Sequence, residues 1–519
     1  VALGTQGIAL TTGIQNILVG SDSGDALTSG ARNVAIGVST LSTATTAGMN
    51  VAIGQSAMEN VASGVALEGA IGIGKDALTS INSTDANYTI AIGYQAGDAI
   101  TSGQRNLVVG YKAGSALTTG DRNTAIGYEA LMQSTTGNYN TAVGHGALRD
   151  IPAGVHNNNT AIGYDAGHDT TTASGSVFIG SSAGYDVTTG NQNIAIGLSA
   201  LNSSGTTGDN NIAIGAYSAD AITTGANNIA IGTWAYTIAT GGSEQVVIGY
   251  EAGRNHQGSY SVFLGHQAGR ATTGGSGANG SYNIAIGYQS LYSQRTTARY
   301  LTVIGSQAGY NIKDNSEHSV IVGYQSGQYA TGSQNTFVGS LAGKGGTTSA
   351  PYSSGENNTF LGYGAGKDFT TGHSNAIVGN QAGYNISSGH ELTIMGYQAG
   401  HNVTTADNNV ILGYQSGYNL TTARYNVLIG DQAGYNLVET SANNENVMIG
   451  LSAGYAGDNN WPQATDNVYI GSNAGRELDD GHSNVIIGKE AGKSNAAGGN
   501  TTQYDVFLGH KAGFSTTDT

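Results

Sequence analysis

The stretch Asn123-Thr124-Ala125-Ile126-Gly127 decides the fold of this chain, because close variants of it return along the whole 519-residue sequence. The phrase is Asn, three mostly apolar residues and Gly; it occurs in 28 copies, the first closing at Gly20 and the last at Gly509. The commonest distance between closing glycines is 17 residues, with extremes of 16 and 23. A unit this short cannot bury a core alone, but stacked units can, so the period predicts a repeat architecture.

Each copy is predicted to hold two short β segments and two turns. The apolar run is β-branched and too short for a helix, a single aliphatic residue often follows seven positions after the closing glycine, and a Thr-Thr-Gly turn comes next. The sequence therefore predicts an all-β, single-chain β-solenoid (a parallel β-roll) of about 28 turns with ~17 residues each. Residues 1–519 are expected to form one continuous repeat domain.

Composition excludes several classes of protein. The chain has 83 Gly, 3 Pro and no Cys, which excludes collagen, a disulfide scaffold and a cysteine nucleophile. Its net charge of −16 argues against partners such as nucleic acid or an anionic membrane surface. No apolar run approaches the ~20 residues of a transmembrane helix, so no membrane insertion is expected within this region. The chain opens on Val1 without a signal peptide, as expected of a processed form or a fragment.

The repeated strand is apolar on both faces when positions are counted from the closing glycine as zero. Position −1 is aliphatic in every copy and is predicted to lie in the core. Position −2 points the opposite way, yet it is Ala in ten copies, Gly72 in one and bulky in 17. A strand apolar on both faces is buried on both, so the second face is expected to meet another copy of the chain. The predicted core and assembly residues are Ile36, Ile126, Ile196, Ile286, Phe337, Phe360, Ile429 and Phe507.

Two positions exchange volume along the chain. Position +4 is large in eight copies, and position −2 is then Ala or Gly; in the 17 copies with a bulky −2 residue, position +4 is always Gly. We expect these two positions to fill one space. Residues 1–300 mix both packing types, whereas 301–519 use only the bulky −2 type.

Asn at position −4 is interpreted as a stacked column that satisfies turn backbone groups rather than as a ligand site. Tyrosine is the most suggestive surface feature, with 29 Tyr against 7 Phe. Stacked tyrosines can form a platform for a sugar or protein receptor, or simply stabilise the solenoid by cross-strand stacking. The candidate receptor-binding residues are Tyr94, Tyr111, Tyr128, Tyr288, Tyr397, Tyr414 and Trp461, together with the long turns 148–158, 272–282, 343–357, 458–466 and 491–504.

No catalytic set is recognised, and no metal ligand set or cofactor is expected. None of the 11 histidines has the His-Glu-x-x-His spacing, and the Gly-x-Gly runs belong to the repeat. Isolated Ca²⁺ binding in turns such as 458–460 stays open as an alternative.

The motif Asn-x-Ala-Ile-Gly, followed by a small residue and a glycine turn, resembles the head repeats of trimeric autotransporter adhesins of the YadA type. Its longer form, Asn-Thr-Ala-Ile-Gly-Tyr-x-Ala with Thr-Thr-Gly, is similar to repeats of phage tail fibres. The resemblance implies a parallel β-roll assembled as a homotrimer. The unit is longer than the usual adhesin repeat of about 14 residues, so larger turns are expected.

The favoured function is a structural and adhesive extracellular fibre, a rigid trimeric shaft of the viral tail-fibre type that binds a glycan or protein receptor on a cell surface. One alternative is the head of a bacterial trimeric autotransporter adhesin on the cell surface. A further alternative is a polysaccharide-degrading tailspike enzyme, although no acidic pair recurs on one face. Ice binding by a threonine array is a third class, but each face would gain only one Thr per turn.

Overall fold

The computed structural model describes residues 2–3, 9–151, 156–271, 280–293, 298–312, 316–346, 352–437, 444–456, 464–478, 481–494 and 503–514. The chain divides into two compact units, Val1–Gln257 and Gly258–Thr519. Each unit is a stack of short parallel strands, with one strand per repeat, so the prediction of an all-β parallel β-solenoid with about 17 residues per turn is confirmed.

Every described strand after the first coincides with one of the 28 copies of the repeated phrase, and the first, at Ala2–Leu3, belongs to the tail of a further copy. The strands of the first unit are β1 Ala2–Leu3, β2 Ile17–Val19, β3 Val34–Ile36, β4 Val51–Ile53, β5 Ile71–Ile73, β6 Ile90–Ile92, β7 Leu107–Val109, β8 Thr124–Ile126, β9 Thr141–Val143, β10 Thr160–Ile162, β11 Val177–Ile179, β12 Ile194–Ile196, β13 Ile212–Ile214, β14 Ile229–Ile231 and β15 Val246–Ile248. A single 3₁₀ turn, Thr84–Ala86, precedes β6 among the described residues.

The strands of the second unit follow the same rule. They are β16 Val262–Leu264, β17 Ile284–Ile286, β18 Thr302–Ile304, β19 Val320–Val322, β20 Thr336–Val338, β21 Thr359–Leu361, β22 Ala376–Val378, β23 Thr393–Met395, β24 Val410–Leu412, β25 Val427–Ile429, β26 Val447–Ile449, β27 Val468–Ile470, β28 Val485–Ile487 and β29 Val506–Leu508. Within a unit, equivalent positions pair in parallel; Ala125 of β8, for example, faces Ala142 of β9.

The second predicted β segment does not form a regular strand. The rest of each turn consists mainly of bends and tight turns, joined to its neighbours by isolated bridges such as Val187 to Thr206. The aliphatic residue of this segment is nonetheless buried, as at Leu117 and Ile222. No helix in the described part of the chain has the length and apolar character required to cross a membrane.

The prediction that position −1 lies in the core is wrong. Ile36 and Ile126 are 37% and 38% exposed, whereas Phe337 and Phe360 at position −2 are fully buried. Ile196, Ile286 and Ile429, also at position −1, are partly exposed. Phe507 is partly exposed although it is at position −2, because its strand is the last of the described stack and pairs on one side only. The reason is strand alternation: the buried Asn at position −4 faces the interior, and position −2 shares its side of the strand.

The predicted exchange of volume between positions −2 and +4 is confirmed. A Cβ atom added to Gly184, at position +4, would lie 2.2 Å from a ring carbon of Phe178, at position −2 of the same repeat. A Cβ atom on Gly72 would instead meet Met58, the large +4 residue of the preceding turn, at 3.2 Å. Both positions therefore fill one interior space, as close packing requires.

Candidate functional site

The outward face of the strands is the first candidate site. Positions −3 and −1 point away from the interior in both units, and their aliphatic side chains stay half-exposed, as at Ile92 and Ile162 in the first unit and Leu264 and Met395 in the second. Because the same positions stack turn after turn, the exposed side chains form an apolar row along each unit. An apolar row of this kind is typical of a surface that binds another protein.

Aromatic and cationic side chains border this apolar row. Position +1 carries tyrosine in many turns, and position −5 carries residues such as Arg122 and Tyr139, whose guanidinium and ring centroid are 5.2 Å apart. Tyr and Arg are enriched at protein interfaces relative to other surface, whereas Lys and Glu are depleted. The abundance of tyrosine along the strand face is therefore typical of an interface, although glutamates such as Glu244 and Glu391 also occupy position −5.

The candidate tyrosines at position +1 form a stacked column. The ring centroids of Tyr94 and Tyr111 are 5.3 Å apart, those of Tyr111 and Tyr128 are 5.0 Å apart, and His145 and Tyr164 continue the stack. Tyr397 and Tyr414 stack at 5.4 Å in the second unit. Stacking covers the ring faces within each column, so the accessible parts are the ring edges and hydroxyl groups.

The remaining candidates are distributed differently. Tyr288 tilts by 30° against His266, whose ring centroid is 5.3 Å away. Trp461 lies outside the described residues, as do most residues of the long turns proposed for receptor binding. Their role in binding stays a prediction.

Sequence reasoning missed an aromatic column at position −5. Tyr260, Tyr282, Tyr300 and His318 stack with centroid distances of 4.9, 5.2 and 4.8 Å. All four have positive φ angles between 54° and 62°. The column could have been found in the sequence, since each of these aromatic residues stands directly before position −4. The unequal spacing of these copies made the pattern hard to recognise.

The asparagine column at position −4 is structural, as interpreted from the sequence. The side-chain amide of Asn123 donates to the carbonyl oxygens of Gly137 at 2.8 Å and of the Asn106 side chain at 3.2 Å. Its own side-chain oxygen accepts from the backbone N–H of Asn140 at 2.9 Å. These buried amides are fully used in satisfying the backbone, so no ligand-binding capacity is left in them.

Threonine hydroxyls of the Thr-Thr-Gly turns are used in the same way. Thr101 Oγ1 donates to the backbone oxygen of Thr118 at 3.2 Å, and Thr118 Oγ1 donates to that of Thr135 at 2.9 Å. In the described Thr-Thr-Gly turns the second threonine, such as Thr119, is exposed, and the first is buried or partly buried except at Thr11. This geometry provides one outward hydroxyl per turn, which is a sparse array for ordering ice.

A cluster of titratable groups lies at positions +5 and +6 of consecutive turns in the first unit. His168 Nδ1 is 2.6 Å from Asp169 Oδ1 and 3.6 Å from Asp150 Oδ2. One ligand atom from each of these three residues lies within 4.8 Å of the others. His168 is 6% exposed, and its ring stacks on Tyr185 with a centroid distance of 4.8 Å.

The cluster carries an excess of negative charge. Asp186 in the next turn is in hydrogen-bonding contact with Asp169, and partial burial together with this neighbouring carboxyl raises the pKa of Asp186. Partial burial, followed by the charges of Asp169 and Asp165, also raises the pKa of Tyr185. Sequence reasoning missed the cluster because Asp150 lies 18 residues before His168, outside the short spacings of known metal motifs.

Comparison with protein-family models finds no match for this chain, and comparison with curated protein sequences likewise finds none.

Proposed function

We propose that this chain is the rigid shaft of an extracellular, homotrimeric fibre that attaches to a receptor on a cell surface, of the kind found in viral tail fibres. The observation that supports this proposal most is the half-exposed apolar row on the outward face of the strands in each unit. The similarity of the repeat to YadA-type heads and phage tail fibres supports an assembly of three chains. It also supports the extracellular setting.

A second copy of the same chain is the partner that fits the row best. The row repeats once per turn, so a partner that contacts it throughout needs side chains at the same interval. Another copy in parallel register repeats its side chains at the same interval in every turn. It also has the same longer and shorter turns at the same places in the stack. A globular partner could cover only a few turns and would leave the rest of the row in water.

The area available is sufficient for a stable interface. A standard interface takes about 800 Å² from each partner, which over the fourteen strands of the second unit is about 60 Å² per turn. Every turn of the second unit has a partly exposed aliphatic side chain at position −1, and several add another at position −3, such as Val320 and Val485. Self-association through the row therefore needs no contribution from other surfaces.

Sedimentation equilibrium of the purified chain tests the assembly. We expect a mass three times the 52.4 kDa of one chain. The variant I36D/I126D/L264D/M395D places two carboxylates on the row of each unit, at positions that are 37–52% exposed, and should reduce the mass to that of one folded chain. The control T12D/T119D/T172D/T189D adds the same charge at exposed threonines away from the row and should remain trimeric.

A single-chain mass for the unmodified protein would contradict the assembly, and so would a quadruple aspartate variant of the row that remains trimeric. Circular dichroism on both variants establishes that the strands are retained. Sequencing the ends of the native polypeptide separates the two biological settings: a continuation into amphipathic β segments would indicate the adhesin head of a bacterial autotransporter, and its absence the viral fibre.

Attachment is the second part of the proposal. Because ring faces are covered within the columns, a receptor would contact the edges and hydroxyls of Tyr94, Tyr111 and Tyr128 or the long turns. A glycan microarray probed with the chain and with Y94F/Y111F/Y128F tests this, since Phe keeps the stack and removes only the hydroxyls. We expect the variant to lose binding; unchanged binding would exclude the tyrosine hydroxyls as the contact.

A further inference from the structure

Three aspartates occupy position +6 in consecutive turns of the first unit. Asp150, Asp169 and Asp186 follow the closing glycines Gly144, Gly163 and Gly180, and His168 lies beside them at position +5. Gln133, one turn earlier, donates from Nε2 to Asp150 Oδ1 at 2.7 Å. From Asp150 onward the column consists of carboxylates, which accept hydrogen bonds only when ionised, so its donors come from neighbours such as His168 Nδ1, 2.6 Å from Asp169 Oδ1.

The second unit contains the same arrangement with amides in place of carboxylates. Asn385, Asn402 and Asn419 occupy position +6, and each donates from Nδ2 to the side-chain oxygen of the next asparagine at 2.8, 2.8 and 2.6 Å, ending on Asn436. His401 takes the place of His168, with Nδ1 2.9 Å from Asn402 Oδ1. Its ring is stacked between Tyr384 and Tyr418.

The aspartate column of the first unit and the amide column of the second differ in their hydrogen bonding and charge. An asparagine has both a donor and an acceptor, so the amide column satisfies itself from turn to turn. The aspartates stand at the same interval in the same kind of turn, but neighbouring carboxylates repel each other. A bound cation would offset the negative charge that distinguishes the aspartate column from the amide column.

We propose that Asp150, His168 and Asp169 bind a divalent transition-metal ion, with Zn²⁺ as the best-suited example. The ligand set is one imidazole nitrogen and two carboxylate oxygens, which suits Zn²⁺ and its neighbours and leaves a position for water or Asp186. Ca²⁺ and Mg²⁺ prefer sites made only of oxygen.

The geometry favours binding with little rearrangement. Ligand atoms around a zinc ion at about 2.1 Å are roughly 3.4 Å apart. The 3.6 Å separation between His168 Nδ1 and Asp150 Oδ2 is close to this value, and the 2.6 Å separation from Asp169 Oδ1 needs to lengthen by less than 1 Å. Stacking on Tyr185 holds the buried imidazole in place.

One neighbouring cation does not occupy the site. Arg149 Nε is 3.6 Å from Asp150 Oδ1 but closer to Glu129 Oε2, at 3.1 Å. Its charge is therefore shared with Glu129, and the Oδ2 atom of Asp150 that faces His168 stays available.

Zn²⁺ titration of the metal-stripped full chain against a fluorescent chelator tests the proposal. We expect one saturable site per chain, a higher thermal midpoint in the presence of Zn²⁺, and no comparable effect of Ca²⁺. The variant D150N/D169N should bind Zn²⁺ more than about 100-fold more weakly. This variant should fold, because it reproduces the amide column that the second unit already uses.

Two further variants make the assignment specific. H145A removes an exposed histidine near Asp165 that belongs to no three-ligand group among the described residues, and it should leave Zn²⁺ binding unchanged. N385D/N402D places two carboxylates beside His401, and it should add a second site to the chain. Absence of saturable binding in the unmodified chain, or equal affinity in D150N/D169N, would overturn the proposal.

Discussion

The closing glycine of each turn is the most constrained residue in this molecule. Gly127 has a φ angle of 143°, and a Cβ atom on it would lie 2.2 Å from the carbonyl oxygen of Gly144 in the next turn. Two separate obstacles therefore oppose any side chain here: a backbone conformation that L-residues rarely adopt and a direct collision with backbone. The same contact recurs between successive closing glycines within each unit.

Replacing Gly127 with alanine should therefore destabilise the stack by several times the cost of an ordinary strained glycine site. The matched control is G205A, because Gly205 also has a positive φ, 75°, but no atom lies near its added Cβ. For G205A we expect a loss of about 1 kcal/mol, the cost of the conformation alone. Urea denaturation of both variants measures the difference, and equal losses would show that the collision is relieved by a small shift.

Buried titratable residues also make single-residue contributions to stability. His256 is completely buried, and burial lowers its pKa to about 3. Unfolded histidine titrates near 6.5, so between pH 6.5 and 3 the unfolded chain binds a proton that the folded chain does not. The stability associated with neutral His256 is present above pH 6.5 and is lost as the pH falls towards 3.

The thermal midpoint should accordingly fall between pH 6.5 and 4, and H256Q should make that fall shallower. H145Q is the control, since the side chain of His145 is 45% exposed. Parallel pH profiles for the unmodified chain and H256Q would assign the acid sensitivity to other groups.

At the scale of the single turn, packing depends on the pair of positions −2 and +4. Phe178 fills the interior of its turn because Gly184 offers no side chain, while the next turn combines Ala195 of β12 with Leu201. The two residue pairs, a bulky −2 residue with Gly and a small −2 residue with a large +4 residue, fill a similar volume in the same space. A turn should therefore tolerate a change of both positions but not of one.

The double variant F178A/G184L converts one packing type into the other. G184L alone should collide with the Phe178 ring and destabilise the chain by more than about 3 kcal/mol, and F178A alone should leave a cavity of similar cost. The double variant should recover most of that loss. Chemical denaturation of the three variants measures the coupling, and additive losses would contradict a shared space.

At the scale of the whole molecule, the outward face of the strands affects assembly, whereas the interior face determines the stability of a single chain. Each unit buries its interior column without help from a partner, since position −2 is covered by the chain itself. The residues left half-exposed are those of positions −3 and −1, which contribute little to the interior. We therefore expect substitutions on the row to change the mass of the assembly far more than the stability of a single chain.

The cluster at Asp150, His168 and Asp169 also belongs to this larger scale, because only stacking brings it together. The residues come from two successive turns, and a third turn contributes Asp186. No short segment of the chain contains the site, so peptides covering one turn should not bind zinc with the affinity of the intact protein.

The sequence by itself determined the period, the position of each strand, the parallel stacking and the asparagine column. Each of these follows from contacts between equivalent residues one turn apart, and a repeated phrase records such contacts directly. The exchange of volume between positions −2 and +4 was also readable, since paired substitutions leave a trace in every copy.

Only the tertiary structure decided which face of the strand is the interior. Positions −1 and −2 are both apolar, so alternation alone gives two equivalent choices, and the sequence interpretation selected Ile126 where the structure buries Ala125. The decisive fact is the inward direction of the Asn123 side chain, which sets the orientation of the strand that follows it. The approach of His168 to Asp150 likewise depends on the stacking of turns of unequal length, a distance that no local pattern encodes.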